Sequence, residues 1–131
     1  MLDLKEVTTE VVDWVVDTLG SKYMNKEERA MRLLEEAIEC FQSAGLPAEK
    51  AHLLVGMVYD KPRELYMDKE VAGTLVCLTS LSYAFGVDIE RAYLKEREYR
   101  HNNQDLIRTK HRKKTVKTEP YGEGKFDAKQ S

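Results

Sequence analysis

The chain has little of what marks several common classes of protein. It contains two cysteines in 131 residues, and both lie inside apolar periodic segments, where thiols usually behave as small buried hydrophobes. A disulfide framework is therefore not expected, and a reducing compartment suits the chain. The formal net charge is only −2, so no overall field of one sign would recruit nucleic acid.

Long hydrophobic runs are also missing. The longest stretch without a charge runs from Val71 to Val87 and includes Thr, Ser and Gly, which falls short of the ~20 apolar residues of a membrane span. The N-terminus, MLDLKEVTTEVVDW, opens with mixed charges instead of the basic and apolar regions of a secretory signal. We expect a soluble, cytoplasmic protein.

Helical periodicity dominates what is present, and no strand pattern persists. Capping residues and helix-ending glycines divide the chain into an all-α bundle of four to five helices. The expected helices run from about Asp3 to Leu19, from Asn25 to Gly45, from Pro47 to Tyr59, from Asp68 or Lys69 to Gly86, and from Asp88 to about Lys110. Residues 1–111 would form a single domain, and the basic, then polar residues 112–131 a disordered tail.

The fourth expected helix is apolar on nearly every side. A bundle of this size has too few other helices to cover such a helix, so a second subunit is expected to supply the cover. The sequence therefore predicts a homodimer or a higher oligomer such as a homotetramer.

Three carboxylates share one face of the second helix. At about 100° per residue, Glu35, Glu36 and Glu39 project from the side opposite its apolar stripe, and Arg32 lies one turn earlier to pair with Glu35 or Glu36. A solvated helix face has the same pattern. The alternative is a metal site, because oxygen clusters suit hard ions such as Mg²⁺ or Mn²⁺.

Glu70 favours the metal site somewhat. It is an isolated charge at the start of the apolar fourth helix, and carboxylates carried into such surroundings are usually paired or bound to a cation. A favourable negative charge at a helix N-terminus would explain Glu70 equally well.

These residues carry a resemblance to a known family. EEAIE at 35–39 and EVA at 70–72 resemble the EExxE…ExxD pattern of the MazG-like all-α nucleoside triphosphate pyrophosphohydrolases. RAMRLLEE at 29–36, ECFQ at 39–42 and GVDI at 86–89 are also similar to that family, and EVAGTLVCLTSL at 70–81 is similar to a phage and bacterial subset. The resemblance covers roughly residues 25–88. Gly73 stands where the wider family has the Asp of ExxD, so one metal ligand is missing.

The resemblance implies an activity and a set of site residues. Glu36, Glu39 and Glu70 would coordinate Mg²⁺ or Mn²⁺, and Glu35 would be a further ligand or the base that orients the attacking water. Attack on the α-phosphorus of a (deoxy)nucleoside triphosphate would release a monophosphate and pyrophosphate, in nucleotide-pool control. Whether the remaining glutamates hold fewer ions, Asp68 substitutes for the missing ligand, or catalysis is lost stays open.

Four further residues are candidates for binding the nucleotide. Arg32 and Lys95 could meet the triphosphate charge, although both are equally often plain surface charges. Trp14 could stack on a base, but its place in an apolar stripe favours core packing. Asn25 could touch substrate in the family manner, or could simply cap its helix.

Two other functions compete with hydrolysis. The basic run from Lys110 to Lys114 could make non-specific phosphate contacts in a nucleic-acid-binding module, although such runs are common at the solvated ends of helices. Gly73 is the best argument for a catalytically silent relative that serves as a structural or regulatory oligomer. The histidines and cysteines lack zinc-site spacing, and the sequence has no phosphate-binding P-loop and no nucleophile elbow.

Overall fold

The computed structural model describes residues 1–118, and within that range the protein is all-α, as predicted. Six α-helices and one 3₁₀ turn follow one another, without a strand in the described range. The helices are α1 (Leu4–Thr18), α2 (Lys26–Ser43), α3 (Ala48–Tyr59), α4 (Met67–Ala84), α5 (Ile89–Asn102) and α6 (Gln104–Thr118), with the 3₁₀ turn at Ser21–Tyr23.

Side-chain caps fix the beginnings of α1 and α2. The Asp3 carboxylate accepts a hydrogen bond from the Lys5 backbone N–H at 2.7 Å. The Asn25 carbonyl oxygen accepts from the Glu28 N–H at 2.9 Å, while the Asn25 amide donates to the Lys22 carbonyl at 2.7 Å. Each cap satisfies a backbone donor that the first helical turn leaves without a partner, so both helices begin where the sequence predicts.

Glycines end α2 and α4 by the same motif. Gly45 and Gly86 adopt positive φ values of 83° and 65°, a conformation that residues with a Cβ rarely accept. At the first, the Leu46 N–H donates to the Phe41 carbonyl; at the second, the Val87 N–H donates to the Ser82 carbonyl. These are Schellman motifs, and they explain why both helices end at the predicted glycines.

The C-terminal region differs from the expectation. A single helix from Asp88 to about Lys110 was expected, but the helix breaks at Asn103, whose side-chain amide donates to the Tyr99 carbonyl at 2.9 Å. The second piece, α6, then continues to Thr118, past the expected domain boundary at residue 111. The predicted disorder of residues 119–131 lies outside the described residues.

The chain divides into two compact units. Within the described residues, the first comprises 1–29 and 89–118, and it holds all the side chains that are described as buried. They are Val15, Thr18, Arg100 and His111. Because three of the four are polar, the interior of this unit depends on polar contacts as much as on hydrophobic burial.

The second unit, Ala30–Asp88, contains most of α2 and all of α3 and α4. Its described helices have no buried residue. Their apolar side chains, such as Ile38, Val55 and Leu75, are largely exposed. In a single chain this unit has the helices of a bundle without a closed hydrophobic core.

Candidate functional site

The carboxylate face of α2 forms around a contact between Arg32 and Glu35. The Arg32 guanidinium donates to the Glu35 carboxylate over 3.2 Å, between positions three apart on the helix. Only 13 % of the Arg32 side chain is exposed, so its charge lies close to the helix surface. The spacing allows Arg32 to pair with Glu35 or Glu36, and this contact is with Glu35. The contact fixes the orientation of the Glu35 carboxylate, one member of the predicted site.

Glu36 and Glu39 lie on the same helix and are exposed. The helical backbone holds their spacing, and their oxygens are of the kind that Mg²⁺ and Mn²⁺ prefer. The donor set on α2 therefore fits such an ion in its chemistry. An ion bound here would lie beside the Arg32 guanidinium, which is also positively charged and therefore repels the metal ion.

Glu70, the predicted fourth carboxylate, is exposed in the first turn of α4. Among residues 1–118, no group of three or more carboxylate, histidine or cysteine side chains is arranged to hold a metal ion. The single chain thus does not gather the four glutamates into one coordination sphere. Gly73 follows Glu70 by one turn, and a Cβ built on it meets no atom within 4 Å.

The candidate nucleotide-binding residues are widely distributed. Lys95 is exposed on α5 in the first unit, whereas Arg32 belongs to the second unit. Asn25 uses both ends of its amide in the cap described above. Trp14 is half-buried on α1, with the Arg100 guanidinium 5.3 Å from its ring centroid, a distance typical of a cation–π contact. These contacts favour the structural alternatives for Trp14 and Asn25.

A polar network that the sequence did not reveal joins α1 to α5. The Tyr93 hydroxyl donates to the Glu10 carboxylate, and Arg97 contacts the other Glu10 oxygen at 3.4 Å. Arg100 in turn donates to the Tyr93 hydroxyl at 3.0 Å. The hydrogen bond from Tyr93, aided by the charge of Arg97, lowers the pKa of Glu10, while burial and the Glu10 contact raise the pKa of Tyr93. Glu10 lies more than 80 positions before Tyr93 and Arg97, and no local pattern connects it with them.

A second cluster involves the basic run at the end of the chain. His111 is 8 % exposed, and its Nε2 lies 3.1 Å from a Glu28 carboxylate oxygen. The Tyr23 ring packs edge-on against the imidazole, with centroids 4.4 Å apart. Within the run from Lys110 to Lys114, His111 is therefore part of the packed interior and is not presented to a nucleic acid.

Comparisons of the chain with protein-family models, with curated proteins and with solved structures gave no match. The MazG-like assignment therefore stays a prediction from the motifs. No single helix among residues 1–118 is long and apolar enough to cross a membrane.

Proposed function

We propose that this protein is a metal-dependent pyrophosphohydrolase that converts (deoxy)nucleoside triphosphates to monophosphates and pyrophosphate. It would act in the control of a nucleotide pool, and the phage and bacterial subset that its second motif resembles favours a phage-encoded enzyme. The proposed partners are the nucleotide substrate and further copies of the chain, as a homodimer or homotetramer.

The observation that carries the proposal is the carboxylate face of α2. Glu36 and Glu39 extend from this face beside Glu35, whose position is set by Arg32 at 3.2 Å. The EExxE spacing thus lies on a regular helix, within an all-α protein, which is the structural class that the resemblance implies. An ordinary charged face needs neither the apolar α4 nor the isolated Glu70, which begins the second, incomplete part of the motif.

Each glutamate has a role in this proposal. Glu36, Glu39 and Glu70 would hold Mg²⁺ or Mn²⁺, which when bound supplies charge neutralisation and a water of lowered pKa. Glu35 would accept a proton from the attacking water, with Arg32 keeping its carboxylate oriented. Lys95 would meet the triphosphate.

The direct test is pyrophosphate release from the eight common NTPs and dNTPs in the presence of Mn²⁺. The native protein should hydrolyse one or a few of them, and Glu36→Gln should lose at least a hundredfold of this activity, because the variant removes one carboxylate ligand while keeping the side-chain size. Glu27→Gln is the matched control, since Glu27 is exposed on the opposite face of the same helix.

Two results would contradict the proposal. Equal activity in Glu36→Gln and Glu27→Gln would show that the carboxylate face takes no part in the reaction. A folded protein that releases no pyrophosphate, and that Mn²⁺ does not stabilise against heat, would instead support a catalytically silent oligomer in which Gly73 marks the lost site.

A further inference from the structure

The two helices α2 and α3 enclose an apolar groove. Its volume is about 310 Å³, and its lining side chains are almost entirely apolar. The main ones are Leu34, Ile38, Phe41, Leu54, Val55 and Val58. We call this the α2–α3 groove. Leu54 keeps 51 % of its surface exposed, although a leucine at the centre of a helix pair is normally buried.

Helix α4 is a second apolar surface that is left exposed to water. From Met67 to Ser80 each of its residues is exposed, including Val76 at 66 %. The segment from Val71 to Val87 contains no charged residue. Exposing so many apolar side chains on all sides of one helix is unfavourable in water, by roughly 25 cal/mol for each Å².

The groove and the helix are suited to each other. Both are apolar, and neither is covered by another described part of its own unit. Helices α2 and α4 also have the same length, 18 residues each. A foreign partner that filled the groove would leave α4 uncovered, whereas a second copy of the chain brings one α4 for each groove.

We infer that α4 of one copy packs into the α2–α3 groove of a second copy, and that the reverse contact forms across a two-fold axis. The arrangement is isologous, because each chain offers the same groove and the same helix to its partner. It goes beyond the proposed hydrolase activity by assigning both surfaces of the interface. Because the groove lies on the apolar side of α2, opposite Glu36 and Glu39, this contact does not itself bring Glu70 to them, and the shared metal site of the proposed function would need a further contact in a higher oligomer.

The expected interface passes the minimum area of a biological contact. An 18-residue helix is about 27 Å long and about 10 Å wide, so one contact covers a footprint of roughly 270 Å² on each surface. Two reciprocal contacts with two surfaces each then bury roughly 1,100 Å², which exceeds the ~1,000 Å² of a specific interface.

The first experiment measures the mass of the full chain by sedimentation equilibrium without nucleotide or metal. The native protein should be a dimer, or a multiple of one, at micromolar concentration. Leu54→Asp in the groove and Val76→Lys on α4 should each give monomers, because each places a charge in both contacts. Leu4→Asp is the matched control, since Leu4 is an exposed apolar residue of α1 in the other unit and should leave the dimer intact.

The second experiment tests which surface meets which. Mixing the Leu54→Asp and Val76→Lys chains should restore a mixed dimer, since one of its two contacts is then fully native and the other pairs Asp with Lys. If instead grooves met grooves and α4 met α4, every contact of the mixed dimer would carry a charge, and the mixture would stay monomeric. The milder Leu54→Ala and Val76→Ala variants, which keep the helices intact, should each weaken dimerisation at least tenfold.

Three results would overturn the inference. They are a native protein that is monomeric at micromolar concentration, alanine variants that dimerise like the native chain, and a mixture of the two charged variants that fails to associate. Dimerisation without pyrophosphate release would leave the interface established and contradict only the proposed function.

Discussion

Arg100 shows at the scale of single residues how a polar group can organise an interior. Its guanidinium is buried, lies 5.3 Å and 5.5 Å from the ring centroids of Trp14 and Tyr93, and donates to the Tyr93 hydroxyl. The placement of Trp14 in an apolar stripe could be read from helical spacing. Its arginine partner could not, because Arg100 follows it by 86 residues and belongs to a helix with a weak apolar pattern.

Glu10 should make the protein sensitive to acid. Its pKa is lowered from the usual 4.5, chiefly by the hydrogen bond from Tyr93. The contribution of Glu10 to the stability of the folded protein is therefore complete above the pKa of Glu10 in the unfolded state. It is lost as the pH falls through the lower pKa of Glu10 in the folded state. Glu10→Gln should flatten the decrease in melting temperature below pH 4.5, measured by circular dichroism. Glu6→Gln, the same exchange at an exposed site on the same helix, is the matched control.

Gly73 offers a test of the missing ligand. Because a Cβ at this position meets no atom within 4 Å in the chain, an aspartate can be introduced there. Gly73→Asp should bind Mn²⁺ roughly tenfold more tightly than the native protein, a gain of about 1.4 kcal/mol, measured by calorimetry. Gly73→Asn has the same shape without the charge and should give no such gain. Equal Mn²⁺ affinity in the two variants would show that position 73 does not face the metal.

At the scale of elements, helix ends were more predictable than helix contacts. The Asn25 cap and the glycines at 45 and 86 act through bonds to near neighbours in the sequence, so their effect could be read directly. The break at Asn103 has no glycine or proline to mark it. The burial of His111 depends on Glu28 and Tyr23, which are distant in sequence, and the basic residues around it indicated a solvated end instead.

The two kinds of glycine in the second unit should respond oppositely to alanine. Gly45 has a φ of 83° at the end of α2, so Gly45→Ala should lower the free energy of unfolding by about 1 kcal/mol. Gly56 lies inside α3 with open space around its Cα, so Gly56→Ala should raise that free energy by up to about 1 kcal/mol. Urea denaturation of both variants gives the comparison. A stabilising Gly45→Ala would contradict the Schellman motif.

At the scale of the whole molecule, the all-α class was predictable. The uncharged run from Val71 to Val87 predicted a helix that needs a second subunit to cover it; α4 is exposed in the described chain, and the covering subunit stays a prediction. The sequence carries no signal for the division into two compact units, and the single domain that length suggested stays a prediction. That Glu70 joins the α2 carboxylates in one site stays a prediction, because a motif specifies candidate ligands without specifying which surfaces meet.

The melting temperature should depend on protein concentration. If the second unit closes its core only by association, assembly stabilises the folded state by mass action. Raising the concentration from about 1 to 100 μM should increase the melting temperature by several degrees, measured by scanning calorimetry. The Val76→Lys chain, which cannot associate, should melt at one temperature throughout the range. A native melting temperature that does not change with concentration would indicate that each chain closes its core alone.

The exposure of α4 also has a consequence for the life of the protein in a cell. A newly made chain that has not met a second copy presents an uncharged apolar helix, the kind of surface that chaperones and proteases act on. Degradation would remove such chains until synthesis is fast enough for pairs to form. The amount of functional protein would then rise more steeply than its rate of synthesis, with a threshold set by the affinity of α4 for its groove.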